Sequence, residues 1–115
     1  MMKKIEAIIR KSKFREVKKA LINLNIDNFS YWLVRNVGEA SELRVYRGVE
    51  YETSALERIH LTLVVGNNVK DVVQAIINSG ITGETGDGRV FVSEVSEAYQ
   101  IITKGDADIA KSLKK

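Results

Sequence analysis

The sequence of 115 residues has no cysteine and no proline, and His60 is its only histidine. Without cysteine the chain can form neither disulfides nor thiolate metal sites. A single histidine also argues against a zinc site built from histidines. We therefore expect no metal site made by the protein alone.

Long apolar runs and a large charge of one sign are missing too. No apolar run approaches the ~18 residues of a transmembrane helix, and the N-terminus lacks the apolar core of a signal peptide. The net charge is only +3, with basic residues scattered apart from the cluster at Lys111–Lys115. Because nucleic-acid binding needs a basic stripe, the sequence does not favour it. These absences predict a cytoplasmic protein.

The composition is that of an ordinary globular domain. Hydrophobic residues make up 44% of the chain and charged residues 29%. The length suits one domain with a core of its own, which we expect to span residues 1–115.

Residue periodicity predicts the element order β-α-β-β-α-β. Alternating or β-branched stretches predict four strands, at Lys3–Arg10, Asn28–Val37, Glu57–Val65 and Arg89–Val95. Apolar residues at helical spacing predict two helices, one with Phe14, Val17, Leu21 and Leu24, the other with Val69, Val72, Val73, Ile76 and Ile77. The expected helix caps are Ser12 and Asn68 at the starts and Asn25 and Gly80 at the ends.

Right-handed crossovers convert this order into an α+β fold of the ferredoxin-like kind. It is a βαββαβ sandwich, with a four-stranded antiparallel sheet and both helices on one face. The other face carries apolar side chains without helices to cover them. Burial of that face against other copies predicts an oligomer.

Three segments lie outside this pattern: the connection at residues 38–55, the glycine loop at residues 82–89 and the tail. The connection at residues 38–55 is longer than usual, which is typical of an extended hairpin tip or of a functional arm. In the tail, residues 96–115, we expect a short strand at Tyr99–Ile102 and a turn at Lys104–Asp106.

The second connection, the glycine loop at residues 82–89, reads T-G-E-T-G-D-G-R. Gly83, Gly86 and Gly88 permit positive φ and let backbone amides approach an anion. Arg89 could add a bidentate contact to a phosphate. A plain glycine-rich turn before an edge strand is the alternative.

The sequence does not favour an enzyme. It shows no Ser/His pair, no paired-carboxylate motif and no metal cluster at suggestive spacing. We expect His60 to be structural and Tyr31 and Trp32 to pack on the sheet.

Four stretches of the sequence carry a resemblance: K-K-I-E-A-I-I at Lys3–Ile9, Y-R-G-V-E-Y at Tyr46–Tyr51, L-V-V at Leu63–Val65, and T-G-E-T-G-D-G-R-V-F-V at Thr82–Val92. Together they resemble the PII signal-transduction (nitrogen regulatory) family. The second and fourth are specific to the family. The resemblance covers the chain nearly from end to end, in the family's order and at nearly its spacing.

The resemblance implies a homotrimer with nucleotide clefts between subunits, in which ATP and ADP compete and 2-oxoglutarate binds beside ATP–Mg²⁺. Residues 38–55 would be the T-loop, the arm that docks on target proteins and changes shape with the ligand. The T-loop residues implied in partner contact are Tyr46, Arg47, Gly48, Glu50 and Tyr51, and Tyr51 matches a tyrosine that is uridylylated in some bacterial members.

The resemblance also implies a set of ligand residues. Those matched to the nucleotide site are Ile8, Ser30, Gly38, Val64, Gly86, Asp87, Gly88 and Arg89, and Arg58 stands where a lysine contacts 2-oxoglutarate. Arginine keeps the charge of lysine in a different geometry.

Several positions depart from the family pattern. Ala40 stands near the position where the family has a glutamine that helps to hold Mg²⁺ and 2-oxoglutarate. Glu84 stands where the family has a lysine. Gln100 and Ile102 replace two arginines that reach the phosphates from the neighbouring subunit. Since a hydrogen bond to a charged group contributes about 1.5–3 kcal/mol, losing two predicts about 10²–10⁴-fold weaker ATP binding.

Two functions follow from these residues. One is a trimeric PII-type regulator that binds an adenine nucleotide and controls a transporter for ammonium or another nutrient, or a metabolic enzyme, through its T-loop. Such a protein would reach a membrane only through a transporter partner. The other is a divergent PII-like interaction module whose ligand has changed or been lost, including a sensor of another small metabolite.

Overall fold

The structure is a computed structural model, and it describes residues 2–26, 28–37, 43–46, 49–52, 56–101 and 105–106. Its elements in chain order are β1 (Lys3–Arg10), a 3-10 turn (Lys11–Lys13), α1 (Phe14–Asn23), β2 (Ser30–Asn36), β3 (Leu43–Tyr46), β4 (Val49–Glu52), β5 (Leu56–Val65), α2 (Val69–Gly80), β6 (Gly88–Glu94), β7 (Tyr99–Gln100) and β8 (Gly105–Asp106). Throughout the described ranges, no helix is long and apolar enough to span a bilayer.

Four of the strands form one antiparallel sheet in the order β2-β5-β1-β6. The two longest strands, β1 and β5, are therefore central, and β2 and β6 are the edges. Each helix links two strands that are not neighbours, as right-handed crossovers require. The predicted ferredoxin-like sandwich is confirmed.

The core lies between one face of this sheet and the two helices. Along β1 and β5 every second side chain is buried, which is the period of a strand covered on one face. The buried apolar residues are Ile5, Ala7, Ile9, Ile59, Leu61, Leu63 and Val65 from the sheet, Val17 and Leu21 from α1, Val72 and Ile76 from α2, and Ile26 after α1. Full burial of one such side chain contributes about 1.5–3 kcal/mol, so this layer dominates the stability of the fold.

On the opposite side of the sheet, called the open face here, the part of the chain that the structure describes places no helix. Partners in the strand register share a face, and Trp32 pairs with His60 there, their rings stacked with centroids 4.4 Å apart. His60 Nε2 also lies 3.2 Å from Glu6 Oε2. The face thus mixes apolar with charged side chains, and the expected apolar surface is only part of it.

Tyr31 points to the helix side of the same edge strand. Its ring centroid lies 4.3 Å from that of Phe14 on α1. Tyr31 therefore packs against the helix layer and Trp32 against the sheet, and both remain about half exposed.

The helix ends differ in part from the expected caps. Asn25 has the predicted left-handed backbone, with φ of 64°. The prediction for Ser12 is wrong, because a 3-10 turn delays the start of α1 and makes Lys13 its N-cap residue. Asn68 does precede α2, but its own φ is 60° and its side chain makes no capping hydrogen bond. Its carbonyl oxygen instead accepts from the Val72 amide at 3.0 Å.

Two short hairpins lie outside the main sheet. The β3 and β4 strands pair from Leu43 with Glu52 to Tyr46 with Val49, so the connection at residues 38–55 contains a hairpin. In the tail, β7 confirms part of the predicted short strand. The predicted turn at Lys104–Asp106 is wrong for Gly105 and Asp106, which pair with β7 as β8.

Candidate functional site

The glycine loop adopts a conformation that only glycine accommodates well. Gly83, Gly86 and Gly88 have φ of 88°, 96° and 115°, in the left-handed half of the map. At Gly88 a Cβ atom would stand 1.8 Å from the carbonyl oxygen of Ile8 on β1. No side chain fits there, because Gly88, the first residue of β6, lies beside β1 with its backbone close to the Ile8 carbonyl.

Asp87 organises the interior of this loop. Its Oδ2 atom accepts from the backbone amides of Thr82 and Gly83, both at 2.9 Å. Its Oδ1 atom accepts from the Thr82 hydroxyl and, at 2.9 Å, from Arg10 Nε. These donors, above all the Thr82 hydroxyl and then Arg10, hold the pKa of Asp87 well below its usual range. The carboxylate expected to meet the nucleotide is thus turned into the loop itself.

Two arginines from adjacent strands converge on the loop. Arg10 ends β1 and lies opposite Arg58 of β5 in the register. Arg10 Nη2 donates to the Thr85 carbonyl at 3.0 Å, and Arg58 Nη2 donates to the Gly86 carbonyl at 3.3 Å. Burial, followed by the positive charge of Arg10, lowers the pKa of Arg58. Arg58, the expected effector residue, is therefore already engaged with the loop.

Arg89 and Ile8, both expected at the nucleotide, are brought together on the open face. They are partners in the β1–β6 register, and Arg89 is exposed at the exit of the loop. A largely apolar cavity of about 350 Å³ lies where the loop, the end of α2 and the β1–β6 edge meet. Its lining residues are Ile8, Ile9, Val73, Ile76, Ile77, Gly80, Ile81, Asp87, Gly88, Arg89 and Val90.

Ser30 and Val64, also expected at the nucleotide, lie elsewhere on the open face, Ser30 on the edge strand opposite β6 and Val64 further along β5. Val64 pairs with Lys4 on β1, and Ser30 pairs with Thr62 on β5. Lys4 and Ile8 are four positions apart on β1, so Val64 is roughly 13 Å from the level of Ile8. One chain does not bring Ser30 and Val64 into contact with the glycine loop.

The T-loop residues are described only through their backbone. Tyr51 pairs with Arg44, Tyr46 with Val49, and Glu50 with Val45 in the β3–β4 hairpin. Three expected site residues, Gly38, Arg47 and Gly48, lie outside the described residues, as do Ala40 and Ile102. Gln100 lies in β7.

Two residues that the sequence analysis did not single out prove central to the loop. Arg10 and Thr82 supply the side-chain donors to Asp87. Thr82 carried a usable signal, because a threonine hydroxyl near a loop aspartate is a frequent local donor. Arg10 carried none, since its partner is 77 positions away.

The described residues offer no cluster of three or more carboxylates or histidines placed to hold a metal ion. The groups that do converge are backbone amides, glycines, two arginines and the Asp87 carboxylate, which is already paired within the loop. Backbone amides and guanidinium groups are suited to holding an anion.

Comparisons with known proteins point to one family. The family model of the nitrogen regulatory protein P-II matches residues 2–105. The chain is 42% identical over 104 residues to the nitrogen regulatory protein P-II of Nostoc punctiforme, covering 89% of this chain and 93% of that one. It is 39% identical over 109 residues to the P-II protein of Synechocystis sp., covering 93% and 96%.

A solved structure gives the same result for the fold. The crystal structure of Arabidopsis thaliana PII bound to citrate has a TM-score of 0.76 and 28% identity, and covers 95% of this chain and 91% of its own. Proteins of this family are homotrimeric signal transducers that interact with target proteins, and they are not enzymes. On the family-model match, the identities and the shared fold together, the chain belongs to the nitrogen regulatory protein P-II family.

Proposed function

We propose that the chain is a homotrimeric PII-type regulator that binds ATP or ADP in clefts between subunits and controls a partner protein through its T-loop. The observation that carries this proposal is the separation of the expected nucleotide residues on the open face. Ile8 and Arg89 are register partners beside the glycine loop, whereas Val64 lies four positions further along the sheet and Ser30 lies on the opposite edge strand. A second copy set against this face would bring the two groups together.

The glycine loop supports an anionic ligand in such a cleft. Its backbone is fixed by positive φ at three glycines, and Arg89 stands exposed at its exit. Preorganised amides beside a guanidinium are a common way to hold phosphate. In this proposal Gly86, Gly88 and Arg89 contact the phosphates.

The T-loop supplies the output of the regulator. We assign partner contact to Tyr46, Arg47, Gly48, Glu50 and Tyr51. The partner is a nutrient transporter, with ammonium as one cargo, or a metabolic enzyme, and the protein acts in the cytoplasm. Ligand occupancy would shift the T-loop between conformers that differ in affinity for that partner.

Calorimetry with ATP, ADP and AMP tests the nucleotide site. We expect micromolar binding of ATP or ADP, and at least tenfold weaker binding by Arg89→Ala, because a hydrogen bond to a charged group contributes about 1.5–3 kcal/mol. Arg15→Ala, at an exposed arginine on α1, is the matched control and should bind as the parent does. Silence from all three nucleotides would refute the proposal.

The oligomer is tested separately by light scattering after gel filtration. We expect a mass three times that of the chain. A monomer at micromolar concentration would leave the cleft without its second wall and would contradict the proposal.

A second candidate function, a PII-like module with a changed ligand, has its own support. Arg10 and Arg58 already donate to groups of their own chain, and Gln100 stands where the family has an arginine. Fewer cations are then available to a triphosphate, and 2-oxoglutarate would have to displace Arg58 from the Gly86 carbonyl.

Titration with citrate and 2-oxoglutarate distinguishes this candidate, because the Arabidopsis relative is bound to citrate. Under the changed-ligand function, citrate or AMP binds more tightly than ATP. Under the first function, ATP or ADP binds more tightly than either, and 2-oxoglutarate adds at most weak heat in the presence of ATP–Mg²⁺.

A further inference from the structure

We propose that Arg10 is the positioning residue of the glycine loop, which it holds, through Asp87, in its anion-accepting shape before any ligand arrives. This inference rests on the proposed function for the purpose of the loop. The order that it predicts in the loop, however, can be measured on the ligand-free protein.

Arg10 contacts the glycine loop at Thr85 and Asp87. Its Nε donates to Asp87 Oδ1 at 2.9 Å and its Nη2 donates to the Thr85 carbonyl at 3.0 Å. A single planar guanidinium therefore fixes a side chain and a backbone carbonyl two residues apart. A lysine, with one nitrogen on a flexible stem, offers no such fork.

Asp87 in turn contacts the first residues of the glycine loop, Thr82 and Gly83. While Oδ1 meets Arg10, Oδ2 accepts from the amides of Thr82 and Gly83 at 2.9 Å. The carboxylate thus joins the beginning of the loop to the end of β1. Only 21% of the Arg10 side chain and 22% of the Asp87 side chain are exposed, so solvent ions screen their attraction little.

The glycine loop also stabilises the two arginines, Arg10 and Arg58. Arg10 and Arg58 are direct register partners, and like charges opposite each other on a sheet repel. The loop relieves this repulsion, since Asp87 faces one guanidinium and the Gly86 carbonyl accepts from the other. Arg58 follows the end of the T-loop by three positions, so its hydrogen bond to the Gly86 carbonyl links the start of β5 to the glycine loop.

The experiment measures amide exchange by NMR at Thr82 and Gly83 in the ligand-free protein. Arg10 contacts neither amide, so a merely local effect of its removal would leave them unchanged. We expect Arg10→Gln to speed their exchange roughly 10- to 100-fold, and Asp87→Asn to do the same. In the Asp87→Asn background, Arg10→Gln should add less than about twofold, because Arg10 reaches these two amides only through the Asp87 carboxylate.

Lys3→Gln is the matched control. It removes a cation from the same strand whose partner, Glu94, lies at 3.2 Å and far from the loop. We expect no change at Thr82 or Gly83. If Arg10→Gln proves unfolded, Arg10→Lys keeps the charge without the fork and should give an intermediate acceleration.

The outcomes separate this inference from the nucleotide proposal. Unchanged exchange in Arg10→Gln, or equal acceleration with and without Asp87, overturns the positioning role whatever the protein binds. Accelerated exchange that depends on Asp87 supports it even if calorimetry shows no nucleotide binding. Where ADP does bind, Arg10→Gln should weaken it about tenfold or more, while Lys3→Gln should not.

Discussion

Replacement of Gly88 by alanine should lower the free energy of unfolding for two reasons, and comparison with Gly83→Ala should separate them. At Gly88 φ is 115°, and an added Cβ would stand 1.8 Å from the Ile8 carbonyl oxygen and 2.9 Å from the Ile8 carbonyl carbon. The first cost is the strained backbone, about 1–3 kcal/mol. The second is a contact far inside van der Waals distance with backbone atoms of a central strand, which no side-chain rotation relieves.

Gly83→Ala is the matched control for the second cost. Its φ is 88°, and an added Cβ would meet nothing within 4 Å. It therefore keeps the strain and lacks the collision. We expect Gly83→Ala to cost about 1–2 kcal/mol and Gly88→Ala at least about 2 kcal/mol more, because β6 must move away from β1.

Urea denaturation of the parent and both variants measures these costs as free energies of unfolding. Two-dimensional NMR adds a spatial check, since Gly88→Ala should shift the signals of Ile8 and Ile9 on β1 and Gly83→Ala should not. Equal destabilisation by the two variants would refute the reasoning. It would mean that Gly88 is required for its backbone angle alone.

Three further outcomes are expected. The hydrogen bonds that lower the pKa of Asp87 stabilise the folded protein only while the carboxyl group is ionised. The difference in unfolding free energy between the parent and Asp87→Asn should therefore shrink as the pH falls from 5 towards 2, and a constant difference would contradict this. Leu21→Ala, at a fully buried side chain, should cost about 2–5 kcal/mol in urea denaturation, whereas Ile22→Ala, 47% exposed, should cost under half as much. Lys3→Gln should change stability by less than about 1 kcal/mol, because the ion pair that it breaks is at the surface.

Part of the candidate site could be predicted from the sequence and part could not. Glycine and the loop were predictable, because positive φ is a local requirement that composition reveals. The role of Asp87 was not, since a carboxylate in such a loop faces a ligand or its own backbone depending on which donors the fold supplies. Here the fold supplies Arg10, whose partner lies 77 positions away in the chain.

Helix boundaries show the same limit on a smaller scale. The apolar spacing identified both helices, because a buried stripe must follow the helical period. The caps were less predictable. A 3-10 turn at Lys11–Lys13 moved the start of α1 past Ser12, and the left-handed backbone of Asn68 took its side chain out of the capping role.

The sequence by itself determined the element order, the ferredoxin-like fold and the identity of the glycine loop, since these depend on period, turn chemistry and family motifs along the chain. The tertiary structure alone decided which groups meet. It turned Asp87 inward, set Arg10 opposite Arg58, and separated Ile8 from Val64 by half the length of a strand. The reason is that strand register and crossover connections, and not distance along the chain, decide which side chains become neighbours.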